Sequence, residues 1–94
     1  MEKLKKIIDK YSVAINIPVD ELTGSSRKME LSIARQAFWK SAINTCMPIE
    51  LLCKYFGRKK LAIKKGMKHV DDLCLVNDSY AMYCVKTCDK LFSC

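Results

Sequence analysis

The sequence predicts an all-α fold: a bundle of short helices that contains a helix-turn-helix. Three observations predict it. Apolar residues recur at three- and four-residue spacing in segment after segment, and no useful stretch alternates with the period of two that a strand needs. Turn and break signals, Ile17-Pro18, Thr23-Gly24-Ser25-Ser26, Pro48 and Gly57, fall between those segments. Finally, Arg58–Lys68 holds six basic residues and no acidic one, and follows the apolar segment Pro48–Phe56 across the single Gly57. Helix, glycine turn and basic helix in succession is the shape of a helix-turn-helix.

Each element has its own signature. Leu4, Ile7, Ile8 and Tyr11 place a short amphipathic helix at 2–12. Pro18 starts a helical turn through Val19–Leu22, with Asp20 and Glu21 near its positive end. Ser and Gly around 23–26 make a loop, with Arg27 and Lys28 at its far side. A helix at 29–44 turns Leu31, Ala34, Phe38 and Ala42 inward. Pro48 suits the first turn of the helix at 48–56, because its missing N–H would be unpaired there. Ile49, Leu52, Cys53 and Phe56 form that helix's stripe, and Gly57 is its left-handed cap.

The basic helix runs from about Lys59 to Leu75. Ile63, Met67, Val70 and Cys74 share one face; Leu61, Lys64, Lys65 and Lys68 share the other, with Lys60 at its edge. Such a helix packs on a scaffold with one side and meets phosphates and base edges with the other. Asn77-Asp78 opens a last helix within 77–93. Its stripe, Ala81, Cys84, Val85, Cys88, Leu91 and Phe92, packs either on its own domain or on a protein partner, including a second copy as in a homodimer.

The 94 residues suit one helical domain, 1–94. Net charge is +7, and it is unevenly placed: residues 1–70 hold fifteen Lys/Arg against six Asp/Glu, and residues 71–94 hold two against four. A concentrated positive surface selects polyanions, with double-stranded DNA first. No apolar run approaches the ~20 residues that span a bilayer. The basic opening Met1–Lys6 has no apolar segment behind it, as a signal peptide would. The chain is therefore expected to be soluble, cytoplasmic and nucleoid-associated, without a membrane partner. Cys46, Cys53, Cys74, Cys84, Cys88 and Cys94 are expected as free thiols, several at apolar helix positions. His69 with Cys74, Cys84 and Cys88 lacks a zinc-knuckle spacing, so no metal or other cofactor is expected. Trp39, Tyr80 and Tyr83 are expected to pack. No catalytic constellation is present, and the chain is expected not to be an enzyme.

From Ile17 to Asp72 the chain resembles the C-terminal DNA-binding domain (domain IV) of the bacterial replication initiator DnaA, which has a TrpR-like helix-turn-helix. Ile17–Lys28 looks like that family's short acidic helix and basic loop, and Glu30–Gln36 like the start of its long helix with an Ala-Arg-Gln triplet. Leu52, Phe56, Gly57, Ile63, Gly66, Met67 and Val70 match its helix-turn-helix core positions. The resemblance implies a stand-alone relative without the ATPase domain, acting in replication initiation control or transcription regulation. It implies that Arg27 enters a minor groove and that Arg35 lies at the DNA interface.

The chain departs from the family where the recognition helix opens. An Asp-His-Ser/Thr-Thr motif is replaced by Lys59-Lys60-Leu61-Ala62. Reading of the family's nonamer box is expected to weaken accordingly. The expected DNA-contacting set is Arg27, Lys28, Arg35, Arg58, Lys59, Lys60, Leu61, Lys64, Lys65 and Lys68. Within it, the residues alone also allow Arg27 and Lys28 an ordinary solvated turn, Arg35 a carboxylate partner such as Glu30, and Leu61 a contact with the turn or the last helix. The altered 59–62 motif leaves a rival reading, a protein-interaction module that keeps the fold without specific DNA contacts.

Overall fold

Phe38 is the meeting point of the molecule. In the computed structural model, which describes residues 2–24, 26 and 28–92, its ring lies 5.6 Å from Tyr11, 5.8 Å from Phe56 and 5.2 Å from Phe92, centroid to centroid. Those three rings come from three different helices. Tilted ring pairs at such distances add to the area they bury.

Six helices are present among the described residues and no strand: α1 (Glu2–Ile15), α2 (Val19–Thr23), α3 (Met29–Asn44), α4 (Ile49–Phe56), α5 (Lys60–Leu75) and α6 (Ser79–Phe92). The all-α expectation holds. Boundaries shift slightly. α1 runs three residues past the expected 2–12, because Ile15 continues the stripe one turn beyond Tyr11 and is half-buried. Pro48 stands just before α4 in extended backbone, and Lys59 does the same before α5. Asp78 caps α6 by accepting the Ala81 N–H at 2.9 Å. Ser93 and Cys94 lie outside the described residues.

Four helices end the same way. One or two residues past the helix the chain turns left-handed, with φ of 58° at Asn16, 66° at Cys46, 65° at Gly57 and 60° at Asn77. The next N–H then closes back onto the last turn: Ile17 to Ser12 O, Met47 to Ala42 O, Arg58 to Cys53 O and Asp78 to Leu73 O, at 2.9–3.1 Å. This is the six-to-one closure that satisfies orphan helix carbonyls. Glycine and asparagine enter the left-handed region readily, and Cys46 holds it at some cost.

α3 is the axis of the bundle, packed on α2, α5 and α6, while α1 covers α6 and α2. Beyond the expected inward set, Ile33, Arg35, Ala37, Trp39 and Ser41 are also buried, so α3 is enclosed on most of its circumference. Two of its buried polar groups are satisfied from distant chain, while Trp39 Nε1 is buried without a hydrogen-bond partner among the described residues. The Ser41 hydroxyl donates to Asp89 Oδ1 at 2.7 Å, and the Ala34 carbonyl accepts from the Tyr11 hydroxyl at 2.8 Å.

The α6 stripe is consumed in this core. Ala81, Cys84, Cys88 and Phe92 are buried, and Val85 and Leu91 pack against them half-buried. Of the two packings expected for it, on its own domain or on a partner, the stripe takes the first here: it lies against α1 and α3. The five described cysteines are free thiols. Trp39 is buried as expected. Tyr83 is about half exposed, its hydroxyl donating to Ala14 O at 3.0 Å, and so ties α6 to α1 rather than filling the core.

α5 can approach α3 because of Gly66. A Cβ there would lie 2.6 Å from Trp39 Cζ3 and 2.9 Å from Gln36 Cγ, and Trp39 is itself buried. Gly66→Ala gains about 1 kcal/mol of helix propensity but forces an overlap costing roughly 1–3 kcal/mol. The ring is buried, so a net loss of up to about 2 kcal/mol is expected in urea unfolding.

Burial holds the Tyr11 phenol and the Cys84 and Cys88 thiols protonated well above their ordinary ranges. In the unfolded chain thiols ionise near ~8.5 and phenols near ~10. Above those values the unfolded state has shed protons that the folded state keeps, so stability falls as pH rises. Thermal melts between pH 8 and 11 should show this decline, and Cys88→Ala should flatten its first part.

Candidate nucleic-acid interface

α4 and α5 are joined by a three-residue turn, Gly57-Arg58-Lys59. The left-handed Gly57 sends the chain away from α4, and Ile63, Gly66 and Val70 then fix α5 on the body of the molecule. At about 100° per residue, positions two on either side of Gly66 point some 200° away from it. Those positions are Lys64 and Lys68.

The exposed surface of α5 follows from this. Lys60, Leu61, Ala62, Lys64, Lys65 and Lys68 are all exposed, whereas Ile63 and Val70 are fully buried. Leu61 is 64% exposed. Met67 and Cys74 are half-buried at the margin of the packed side.

The charges on this face are sparsely compensated. Lys60 Nζ lies 3.2 Å from Glu50 Oε1, bridging the first turns of α4 and α5. The Glu50 carboxyl is held below its usual range first by its own backbone N–H and then by Lys60. Lys68 reaches Asp72 only at 3.9 Å, in an exposed pair of little energetic weight. Among the described residues Lys59, Lys64 and Lys65 have no ion pair. Beyond Lys68 the sign changes, with Asp71 paired to Lys40 of α3 and Asp72 beside it. His69 faces α3, its Nδ1 2.8 Å from Gln36 Oε1, while Cys84 and Cys88 lie in the core. Among the described residues no three metal-ligating side chains gather.

The start of α5 runs against local electrostatics. A helix N-terminus carries partial positive charge and favours acidic residues. Here Arg58, Lys59 and Lys60 crowd it, the first turn has no acidic residue, and Lys59 supplies no side-chain cap. Arg58 and Lys60 find partners in Phe56 O, Gly24 O and Glu50, and Lys59 has no ion pair among the described residues.

The two described arginines of the expected set have a different place from the lysines. Arg35 is only 5% exposed. Its Nε donates to Leu22 O at 2.7 Å, Nη2 to Glu21 O at 3.2 Å and Nη1 to Ser26 O at 3.3 Å. It therefore closes the end of α2 and holds the segment that follows. The expectation of Arg35 as a surface DNA contact is corrected, and so is its alternative of a carboxylate partner: the guanidinium is spent on backbone carbonyls. Burial, then the neighbouring Arg58 charge, lowers its pKa. Arg58 is half-buried; its Nη1 donates to Phe56 O and its Nη2 to Gly24 O, both at 2.8 Å. Sequence reasoning missed both ties, because the partners are carbonyls 9–34 residues away that leave no side-chain signature. Lys28 is exposed just before α3, its N–H 3.4 Å from Ser26 Oγ. Arg27 lies outside the described residues.

Arg35→Met would leave three carbonyls without their donor. Hydrogen bonds to charged groups are worth roughly 1.5–3 kcal/mol each and do not add fully, so a loss of about 2–4 kcal/mol is expected in denaturant unfolding.

No protein-family model, no curated protein and no solved structure matches this chain.

Proposed function

We propose that this chain binds double-stranded DNA, with α4 positioning α5 in the major groove as a recognition helix. The observation that carries the reading is the outward lysine face of α5, whose Lys64 and Lys65, with Lys59 just before the helix, have no ion pair among the described residues. Phosphate oxygens would supply the missing counter-charge along the groove. They would also relieve the crowding of cations at the helix start.

The order of helices supports kinship with the replication-initiator domain that the sequence resembles: a short acidic helix, a long buried helix, then a helix, a glycine turn and a basic helix. On that kinship the chain acts in replication initiation control or transcription regulation, in the cytoplasm at the nucleoid. Sequence discrimination is weaker than in the family. Lysines at 59 and 60 position more than they specify, although Lys60 can reach guanine O6 and N7 once it leaves Glu50, and Leu61 can pack on a thymine methyl. The rival reading, a protein-interaction module that keeps the fold, rests on the altered Lys59–Ala62 motif more than on the α6 stripe, which packs into the core.

Four to six phosphate contacts imply that affinity falls by roughly 100- to 2,000-fold between 50 and 200 mM salt. An electrophoretic shift assay across that range measures it. Lys64→Glu with Lys68→Glu should abolish binding while the circular-dichroism helix signal stays unchanged. Unaltered affinity in that double variant would remove α5 from the interface.

A further inference from the structure

α1 and α5 lie on opposite sides of α3. α1 meets α3 through Tyr11, whose hydroxyl donates to Ala34 O at 2.8 Å and whose ring stacks 5.6 Å from Phe38. α5 meets α3 through other residues: Gly66 against Trp39 and Gln36, His69 on Gln36, and Asp71 on Lys40. At about 100° per residue, Phe38 lies ~40° around α3 from Ala34, whereas Trp39, Gln36 and Lys40 lie at ~140°, ~200° and ~240°. The two docking directions are therefore about 170° apart.

Each of these helices turns apolar residues to the body and lysines away from it. On α1, Leu4, Ile7, Ile8 and Tyr11 are buried, and Lys3, Lys5, Lys6 and Lys10 are exposed. None of the four has an ion pair among the described residues, although Glu2 and Asp9 stand one turn from Lys6 and Lys5. Lys3, Lys6 and Lys10 form a row along one side of the helix. At a rise of ~1.5 Å per residue the row spans about 10 Å, close to the axial rise of three phosphate steps on one strand, ~3.4 Å each. The molecule measures 25 Å along its shortest axis. A straight duplex seated on α5 thus leaves the α1 row facing away from it.

We propose that α1 is a second, weaker phosphate-binding face, so that one molecule of this protein holds two duplexes, one on α5 and one on α1. This inference rests on the DNA-binding reading above and goes beyond it. The α1 face is the weaker because Glu2 and Asp9 sit among its lysines, whereas Arg58–Lys68 has no acidic residue. It meets phosphates alone and carries no sequence information, since lysines on a helix lying across a backbone position without specifying. A membrane surface is a poorer match, because the apolar side of α1 is spent in the core.

The test captures a fluorescent duplex on beads that carry a second, unlabelled duplex, with the protein added at about 50 mM salt. The unaltered protein should retain the labelled duplex. Lys6→Glu with Lys10→Glu should cut that retention by at least about 5-fold, while single-duplex affinity in a shift assay changes by less than about 3-fold. Lys64→Glu with Lys68→Glu should abolish both. The milder pair Lys6→Gln with Lys10→Gln, which should lower retention in the same direction, carries the test where the charge reversal lowers the thermal melt. Salt-sensitive binding of one duplex with no retention of a second would overturn this inference and leave the DNA reading standing. So would full retention by the folded α1 variants, as a dimer presenting two α5 faces would give. No salt-sensitive duplex binding by the unaltered protein would overturn both together.

Discussion

The seat of α5 on α3 constrains everything that the surface can do. Gly66 lies against Trp39 because no side chain fits between them, and that contact fixes the rotation of α5 about its own axis. With Ile63 and Val70 buried on the same side, the lysines two residues from the glycine have only one direction left. Turning the helix by one residue would bury an ammonium group against an indole, at a cost no neighbouring carboxylate could offset. The basic face is thus a consequence of core packing, and the core in turn is organised around Phe38, whose ring touches α1, α4 and α6 partners.

Charge is divided between two jobs that chemistry separates. The arginines work inward: planar, always protonated and able to donate in several directions, they hold carbonyls that would otherwise be left open at the end of α2 and around Gly24. The lysines work outward, as flexible point charges on a helix face with few partners. That division gives the region around the turn a positive potential from two sources at different depths. It also joins the loop and the helix mechanically, since Arg58 touches both.

Much of the fold was legible in the sequence, and the parts that were not have identifiable causes. The stripes of α1, α4, α5 and α6 were visible because large apolar residues recur at helical spacing and each helix buries one side. α3 was read as one-sided, yet it is enclosed, because part of its buried surface is Arg35, Ser41 and Ala37, whose identities do not signal burial. Their partners are Leu22, Asp89 and the neighbouring helices, which local pattern cannot supply. Gly57 announced a left-handed turn, and Cys46, which makes the same turn, did not, since cysteine has no preference for that region. At the candidate site the outward lysines followed from periodicity alone. The inward roles of Arg35 and Arg58 did not, because a backbone carbonyl is present at every residue and marks none.

The central claim is that the outward face of α5 meets a duplex, and amide chemical-shift mapping during titration with short double-stranded DNA at low salt tests it most directly. The account predicts shifts concentrated on Arg58–Lys68 and at Lys28, with Ile63 and Val70 moving less than their exposed neighbours. Shifts confined to the lysines of α1, or no shifts at low salt, would contradict it.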